Sequence, residues 1–421
     1  MRSRWCLPLL LFACSKRIEE RNLNVRAHDA AAAANDAARP EPVQDAPVTD
    51  AATARSEAGA EQTDASSAPG FEWQLPYGFP EPAVPEANPM SAAKVELGRH
   101  LFYDARLSQD DTFSCATCHH QELAFTDGGE YSLGVTGAHT PRSSMSLANV
   151  AYASTLTWAN PLLLELERQA LVPMFGDDPV ELGLGSSAEL EAKLRADPTY
   201  VELFSVAFPD SAEPITVQAV VRALAAFERT LISGNSPFDH YLAGDKNAIS
   251  ASARRGYELF GSEKLECFHC HAGFAFTDHV NYSGKAFFDD PFHNTGLYNT
   301  DSRGAYPEPN TGVFSVTGRE QDMGRFKAPT LRNVALTAPY MHDGSIATLS
   351  EVLDHYAAGG RTVVDGESAG VGSASPLKSN LIQGFALTED ERADVLAFLQ
   401  TLTDEEFLSD PRFEDPWLNS P

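Results

Sequence analysis

Cys115-Ala-Thr-Cys118-His119 and Cys267-Phe-His-Cys270-His271 share one form: two cysteines with two residues between them, and a histidine directly after. This is the spacing that fixes a c-type haem. Each cysteine forms a thioether to one haem vinyl group, and the adjacent histidine is carried beneath the iron as its proximal ligand. A lone C-x-x-C also serves zinc sites and thiol redox centres. Here two complete copies use four of the six cysteines. A zinc site would need four ligands to converge from pairs about 150 residues apart, and would leave both histidines without a role. Two covalent haems account for every residue of both motifs.

The elements around the two motifs repeat as well. Gly98-Arg-His-Leu-Phe102 precedes the first and Gly256-Tyr-Glu-Leu-Phe260 the second. Phe125-Thr-Asp127 follows the first and Phe276-Thr-Asp278 the second. This is one haem module used twice. Ser91 is placed as the N-cap of a helix whose apolar face is Val95, Leu97, Leu101 and Phe102. Amphipathic helices are expected near 187–207 and 214–232, another at 348–358, and a last one at 389–402 with Thr388 and Glu391 as a capping box. Residues 281–330 are rich in Gly, Pro, Asn and Asp and read as long loops. No stretch alternates as a strand would. The expected class is mainly α: two cytochrome-c-like haem domains packed together, with long irregular loops. The expected divisions are 1–14 as a leader, 15–70 as a tether, 71–245 as the first haem domain and 246–421 as the second.

The formal charge is -28. Residues 15–70 hold ten acids and six bases, and residues 1–14 two arginines, so the acidity belongs to 71–421. Such a body repels nucleic acid and would steer in a basic protein; the plain alternative is charge for solubility alone. Arg2 and Arg4 precede the apolar run Trp5 to Ala13. That run is too short to span a bilayer and suits an export signal. Residues 15–70, rich in Ala, Asp, Glu, Pro, Ser and Thr, lack the apolar surface to fold alone.

Leu11-Phe12-Ala13-Cys14 resembles a bacterial lipoprotein cleavage box, which implies a lipid anchor at Cys14, and Ser15 after it does not resemble an inner-membrane retention signal. Periplasmic placement on the outer membrane follows as an expectation. Residues 71–405 as a whole resemble the bacterial dihaem cytochrome c peroxidase and MauG superfamily. The resemblance is carried by both haem motifs, by Phe326-Lys-Ala-Pro-Thr-Leu-Arg-Asn333, and by Leu336-Thr-Ala-Pro-Tyr-Met-His-Asp-Gly344. Phe71 to Ser108, and Trp158-Ala-Asn-Pro through Glu181-Leu-Gly, are most similar to its MbnH branch.

The resemblance implies a role for single positions. The family's first haem has a distal position that falls at Val135, which cannot ligate iron, so that site is open to peroxide; His139 nearby is the rival. Gln169, Pro173 and Glu181 match the distal pocket, with Asp177 and Asp178 as rivals for the acid. A carboxylate there can take a proton from bound peroxide and return it to the leaving oxygen. Trp158 matches the tryptophan between the haems. The sixth ligand of the second haem falls at Tyr356, with Met341, Met323 and His355 as rivals, and His342 and Asp343 as supports. Calcium is implied at Thr337, Pro339 and Ser143. The tryptophan that MauG proteins carry before the second haem aligns near Leu265. Trp73, Trp417 and the aromatics of 268–288 are therefore alternative exits for an oxidising equivalent.

The implied function is a peroxide-dependent dihaem oxidase. It would use a bis-Fe(IV)-type state to oxidise an aromatic residue, tryptophan to kynurenine, on an MbnP-like partner protein. Two alternatives stand beside it: a cytochrome c peroxidase drawing electrons from a small redox protein, and a non-enzymatic electron-transfer cytochrome.

Overall fold

The structure, a computed structural model, describes residues 71–286 and 290–418. The Cys14 anchor and the 15–70 tether lie outside them. Eleven α-helices are found among the described residues, together with four two-residue strands. The helices are α1 (Ala92–Tyr103), α2 (Leu166–Gln169), α3 (Leu171–Phe175), α4 (Ser187–Arg195), α5 (Pro198–Ala207), α6 (Val217–Glu228), α7 (Pro237–Leu242), α8 (Ala251–Phe260), α9 (Phe314–Thr317), α10 (Leu349–Ala357) and α11 (Glu389–Gln400). The strands form two antiparallel pairs: β1 (Phe292–His293) with β2 (Phe326–Lys327), and β3 (Thr362–Val363) with β4 (Gly370–Val371). The chain is mainly α, with 281–330 largely irregular, as its composition implies.

Local signals set the helix ends. Ser91 accepts from the Lys94 N–H and starts α1. Thr388 and Glu391 form the expected reciprocal cap on α11, and Thr348 with Glu351 does the same for α10. The segment expected at 187–207 is two helices: Asp197 caps a new start and Pro198 occupies its first turn, where the missing N–H costs nothing. The 214–232 segment is helical only over α6, because Thr216 caps it and the chain turns after Arg229.

The repeat is a packing unit. α1 crosses α6, and α8 crosses α11. At each crossing the partner backbone comes so close that only glycine fits. A Cβ on Gly98 would sit inside 3.0 Å of the Ala223 carbonyl, and one on Gly256 inside 3.0 Å of the Asp394 carbonyl. Leu97, Leu101 and Phe102 of α1 join Val220, Leu224 and Phe227 of α6 in one apolar cluster. Phe260, Val395 and Phe398 anchor a second. Phe407 and Phe413, from the C-terminal segment, pack into the first cluster rather than the second. Ser233 links the halves through side chains: Asn149 donates to its carbonyl at 2.9 Å, and Asn333 to its hydroxyl at 3.0 Å.

Candidate haem sites

Each cysteine motif enters a short 3-10 turn, Cys115–Thr117 and Cys267–His269. That turn brings the two cysteines and the histidine to one cavity wall. Cys115, Cys118 and His119 line an open cavity of about 1410 Å³. Cys267, Cys270 and His271 line another of about 1330 Å³. All four thiols are unbridged. Burial pushes the Cys118 thiol up to about 11 and Cys267 up to about 12.

The repeated Phe-Thr-Asp motif has a specific task. His119 Nδ1 lies 2.7 Å from the Phe125 carbonyl oxygen, and His271 Nδ1 lies 3.2 Å from that of Phe276. The Nδ1–H is thereby committed, and Nε2 is left as the metal-binding lone pair. Both phenylalanines have positive φ, which turns their carbonyls toward the rings. Burial holds both imidazoles below the ordinary histidine range, hence neutral, the form that ligates. The residues of each cavity therefore fit a haem.

Gln169, Pro173 and Glu181 all line the His119 cavity. Gln169 ends α2 and Pro173 lies within α3. Glu181 comes from the following loop, which is stitched down at two points. The Leu182 N–H donates to the Pro173 carbonyl at 2.9 Å, and the Val135 N–H donates to the Glu181 carbonyl at 2.8 Å. Burial raises the Glu181 carboxyl above the usual range. Asp177, Asp178 and His139 are exposed. Val135 contributes its backbone to this loop, while Ser132 and Leu133 are the neighbours that line the cavity.

Trp158 lines both haem cavities and a smaller cavity between them of about 810 Å³. Tyr356, in the last turn of α10, lines the His271 cavity, and burial raises its hydroxyl. Met341 lines that cavity too. Met323 does not line it and packs behind Tyr306 and Phe326, which do. His355 is buried among other groups with neither ring nitrogen bonded. Asp343 accepts from the Tyr298 hydroxyl at 2.7 Å. His342 stacks on Phe326 with centroids 3.6 Å apart and faces the cavity, its Nε2 without a hydrogen-bond partner and 3.9 Å from the Asp343 carboxylate. Leu265 is buried in the same wall. Trp73 packs edge-on against Phe71, and Trp417 against His100. Phe268 packs at a tilt beside His269, whereas Phe287 and Phe288 lie outside the described residues.

Ser143, Thr337 and Pro339 meet in the cavity between the haem sites. They offer neutral oxygens, and no carboxylate among the described residues lines that cavity. Calcium takes six to eight oxygens, with carboxylates prominent among them. The three residues leave the rest of a calcium shell to other oxygen donors such as water.

Three groups escape the reading from motifs. Glu228 lines the His119 cavity with Oε2 unpartnered, and burial pushes its carboxyl up to about 8. Its signal was present: it falls four residues after Leu224 on the buried face of α6. Lys327 is buried in the wall common to all three cavities. His293 contacts the Asp278 carboxylate at 2.5 Å beside Cys270. Burial opposes its charge, but the carboxylate prevails and holds it up at about 10.

A family model described as di-haem cytochrome c peroxidase matches residues 92–247. The methylamine utilization protein MauG of Methylorubrum extorquens is 37% identical over 84% of this chain and 88% of its own length. The cytochrome-c peroxidase IdrP1 of Denitromonas iodatirespirans is also 37% identical, over 81% of this chain and 90% of that protein. Among solved structures, a MauG-like protein associated with microbial copper homeostasis superposes with a TM-score of 0.81 at 51% identity, covering 83% of this chain and all of that one. The dihaem peroxidase BthA of Burkholderia thailandensis shares the fold at 20% identity with a TM-score of 0.61. The chain belongs to the di-haem cytochrome c peroxidase and MauG family, and is a haem-dependent oxidoreductase with two haems.

Proposed function

We propose that this protein is a peroxide-dependent oxidase that acts on an aromatic side chain of a partner protein, converting tryptophan to kynurenine on an MbnP-like chain. The observation that carries this reading is Tyr356 in the wall of the His271 cavity, where the peroxidase alternative calls for methionine. An anionic phenolate is a hard donor and favours oxidised iron. The 51%-identical structure is that of a MauG-like protein associated with microbial copper homeostasis, which supports the same branch.

The haems, covalently held by Cys115, Cys118, Cys267 and Cys270, would supply peroxide activation and storage of oxidising equivalents. The chain's own groups do the rest. His119 and His271 present Nε2 from a fixed ring orientation. Glu181 takes the proton of incoming peroxide and returns it to the departing oxygen, with Gln169 and Pro173 shaping the space around it. Trp158 places a π system in the wall common to both cavities. Export to the periplasm, a lipid anchor at Cys14 and calcium at Thr337, Pro339 and Ser143 belong to the same proposal. Among the described residues no helix is long and apolar enough to cross a membrane.

The test is hydrogen peroxide added to the untreated, fully oxidised protein, followed by electron paramagnetic resonance and near-infrared absorption. Loss of both ferric signals, with modification of an MbnP-like partner seen by mass spectrometry, is the expected result. Reaction only after one haem has been reduced would instead establish a peroxidase of the cytochrome-fed kind.

A further inference from the structure

Lys327 is a buried cation without an anion. Its side chain is 6% exposed, and its one hydrogen bond is from Nζ to the Thr155 carbonyl oxygen at 3.2 Å. No carboxylate among the described residues pairs with it, and burial alone pushes its ammonium down to about 7. Interiors rarely keep a charged lysine in that condition; such a group is paired or loses its charge. The backbone fixes its place: Lys327 lies in β2, opposite Phe292 of β1, and its N–H donates to the Trp158 carbonyl at 2.8 Å.

The location is unusual too. Lys327 lines the His119 cavity, the His271 cavity and the smaller one between them. His279, buried in that middle cavity, has an unpartnered Nδ1 and feels the Lys327 charge as repulsion. An ammonium without a counter-anion and an imidazole with an unpartnered nitrogen, together in one acid-free cavity, define a place for an anion. Haem carries carboxylate substituents at its edge.

We propose that the Lys327 ammonium is the counter-cation shared by the two haems, pairing with haem carboxylates from the wall common to both cavities. This rests on each haem occupying the cavity of its own histidine. A positive charge near an iron favours the reduced form, so one side chain in that wall biases both irons in one direction. Lys327 is in this sense a positioning and tuning residue.

The experiment compares wild type with Lys327→Met, Lys327→Gln and Lys327→Arg as holoproteins. Haem content is read by alkaline pyridine absorbance, and both midpoint potentials by spectroelectrochemical titration. With two haems retained, Met and Gln should lower both potentials, each by about 59 mV or more, a tenfold change in a one-electron equilibrium. Arg, which keeps the charge, should move both by less. A shift confined to one haem, no shift, or an Arg variant displaced as far as Met overturns the proposal. If wild type itself held fewer than two haems, the placement of the haems would fall and this inference with it.

Discussion

The indole N–H of Trp158 donates to the carbonyl oxygen of Ser143 at 2.8 Å, and the Trp158 carbonyl receives the N–H of Lys327 at the same distance. The residue is held once at its ring and once at its backbone, in the wall that both haem cavities share. Trp158→Phe keeps an aromatic ring but removes the donor, for a stability loss of about 1 kcal/mol. If the indole joins the two sites, the first haem of the variant still reacts with peroxide while the second keeps its ferric resonance signal. Rapid-freeze resonance spectra of the two haems check this. Equal loss of both signals in the variant would remove Trp158 from the route.

Glu181 is the group whose protonation should govern the reaction with peroxide. Burial raises its carboxyl above the ordinary range near 4.3. A general base works only as the carboxylate, so the rate should fall as pH drops through that raised value and level off above it. Glu181→Gln should slow the peroxide step by roughly 10²- to 10⁴-fold and flatten the pH profile. Stopped-flow absorbance across pH 4–8 measures both. A variant that keeps the wild-type slope would assign the proton transfer elsewhere.

Gly98 and Gly256 are equivalent positions in the repeat, and both face a partner backbone that leaves no room for a methyl group. Backbone cannot swing aside as a long side chain can. Gly98→Ala and Gly256→Ala should each destabilise the fold by about 3 kcal/mol, the upper part of the overpacking range. Gly98→Ala should perturb the Soret band of the first haem, and Gly256→Ala that of the second. Thermal unfolding followed at the haem bands decides. A tolerated alanine at either site would mean that the helix crossing is looser than described.

Much of this architecture is legible in the chain because its signals are local. Ser91, Thr348 and Thr388 announce helix starts within four residues. The Gly98 and Gly256 motifs announce a repeated module before any partner helix is known. The haem triads need only consecutive residues. What stays hidden depends on distant segments. Nothing near Lys327 says that three cavities meet at its side chain. Nothing near Phe407 and Phe413 says that the C-terminal segment returns to the first apolar cluster. Glu181 sits between the two kinds: its residue type is evident, but only the hydrogen bonds from Leu182 and Val135 fix it, rather than Asp177 or Asp178, over the cavity.

Glu228 offers a test that needs no partner protein. Its carboxyl is buried with Oε2 unpaired; Arg229 favours its charge, but burial outweighs it, and Glu167 adds repulsion, giving a folded value of about 8. The unfolded chain titrates near 4.3. The folded state therefore binds the proton more tightly. The stability this confers is fully present below about pH 4 and is lost as pH rises toward 8. The total change is on the order of several kcal/mol. Glu228→Gln keeps the shape and cannot ionise, so it should match wild type at low pH and exceed it near pH 8. Denaturant unfolding of both proteins at pH 5 and pH 8 gives the comparison. Parallel pH dependence in the two would show that Glu228 is ionised in the folded protein, with a cation in the first cavity satisfying it.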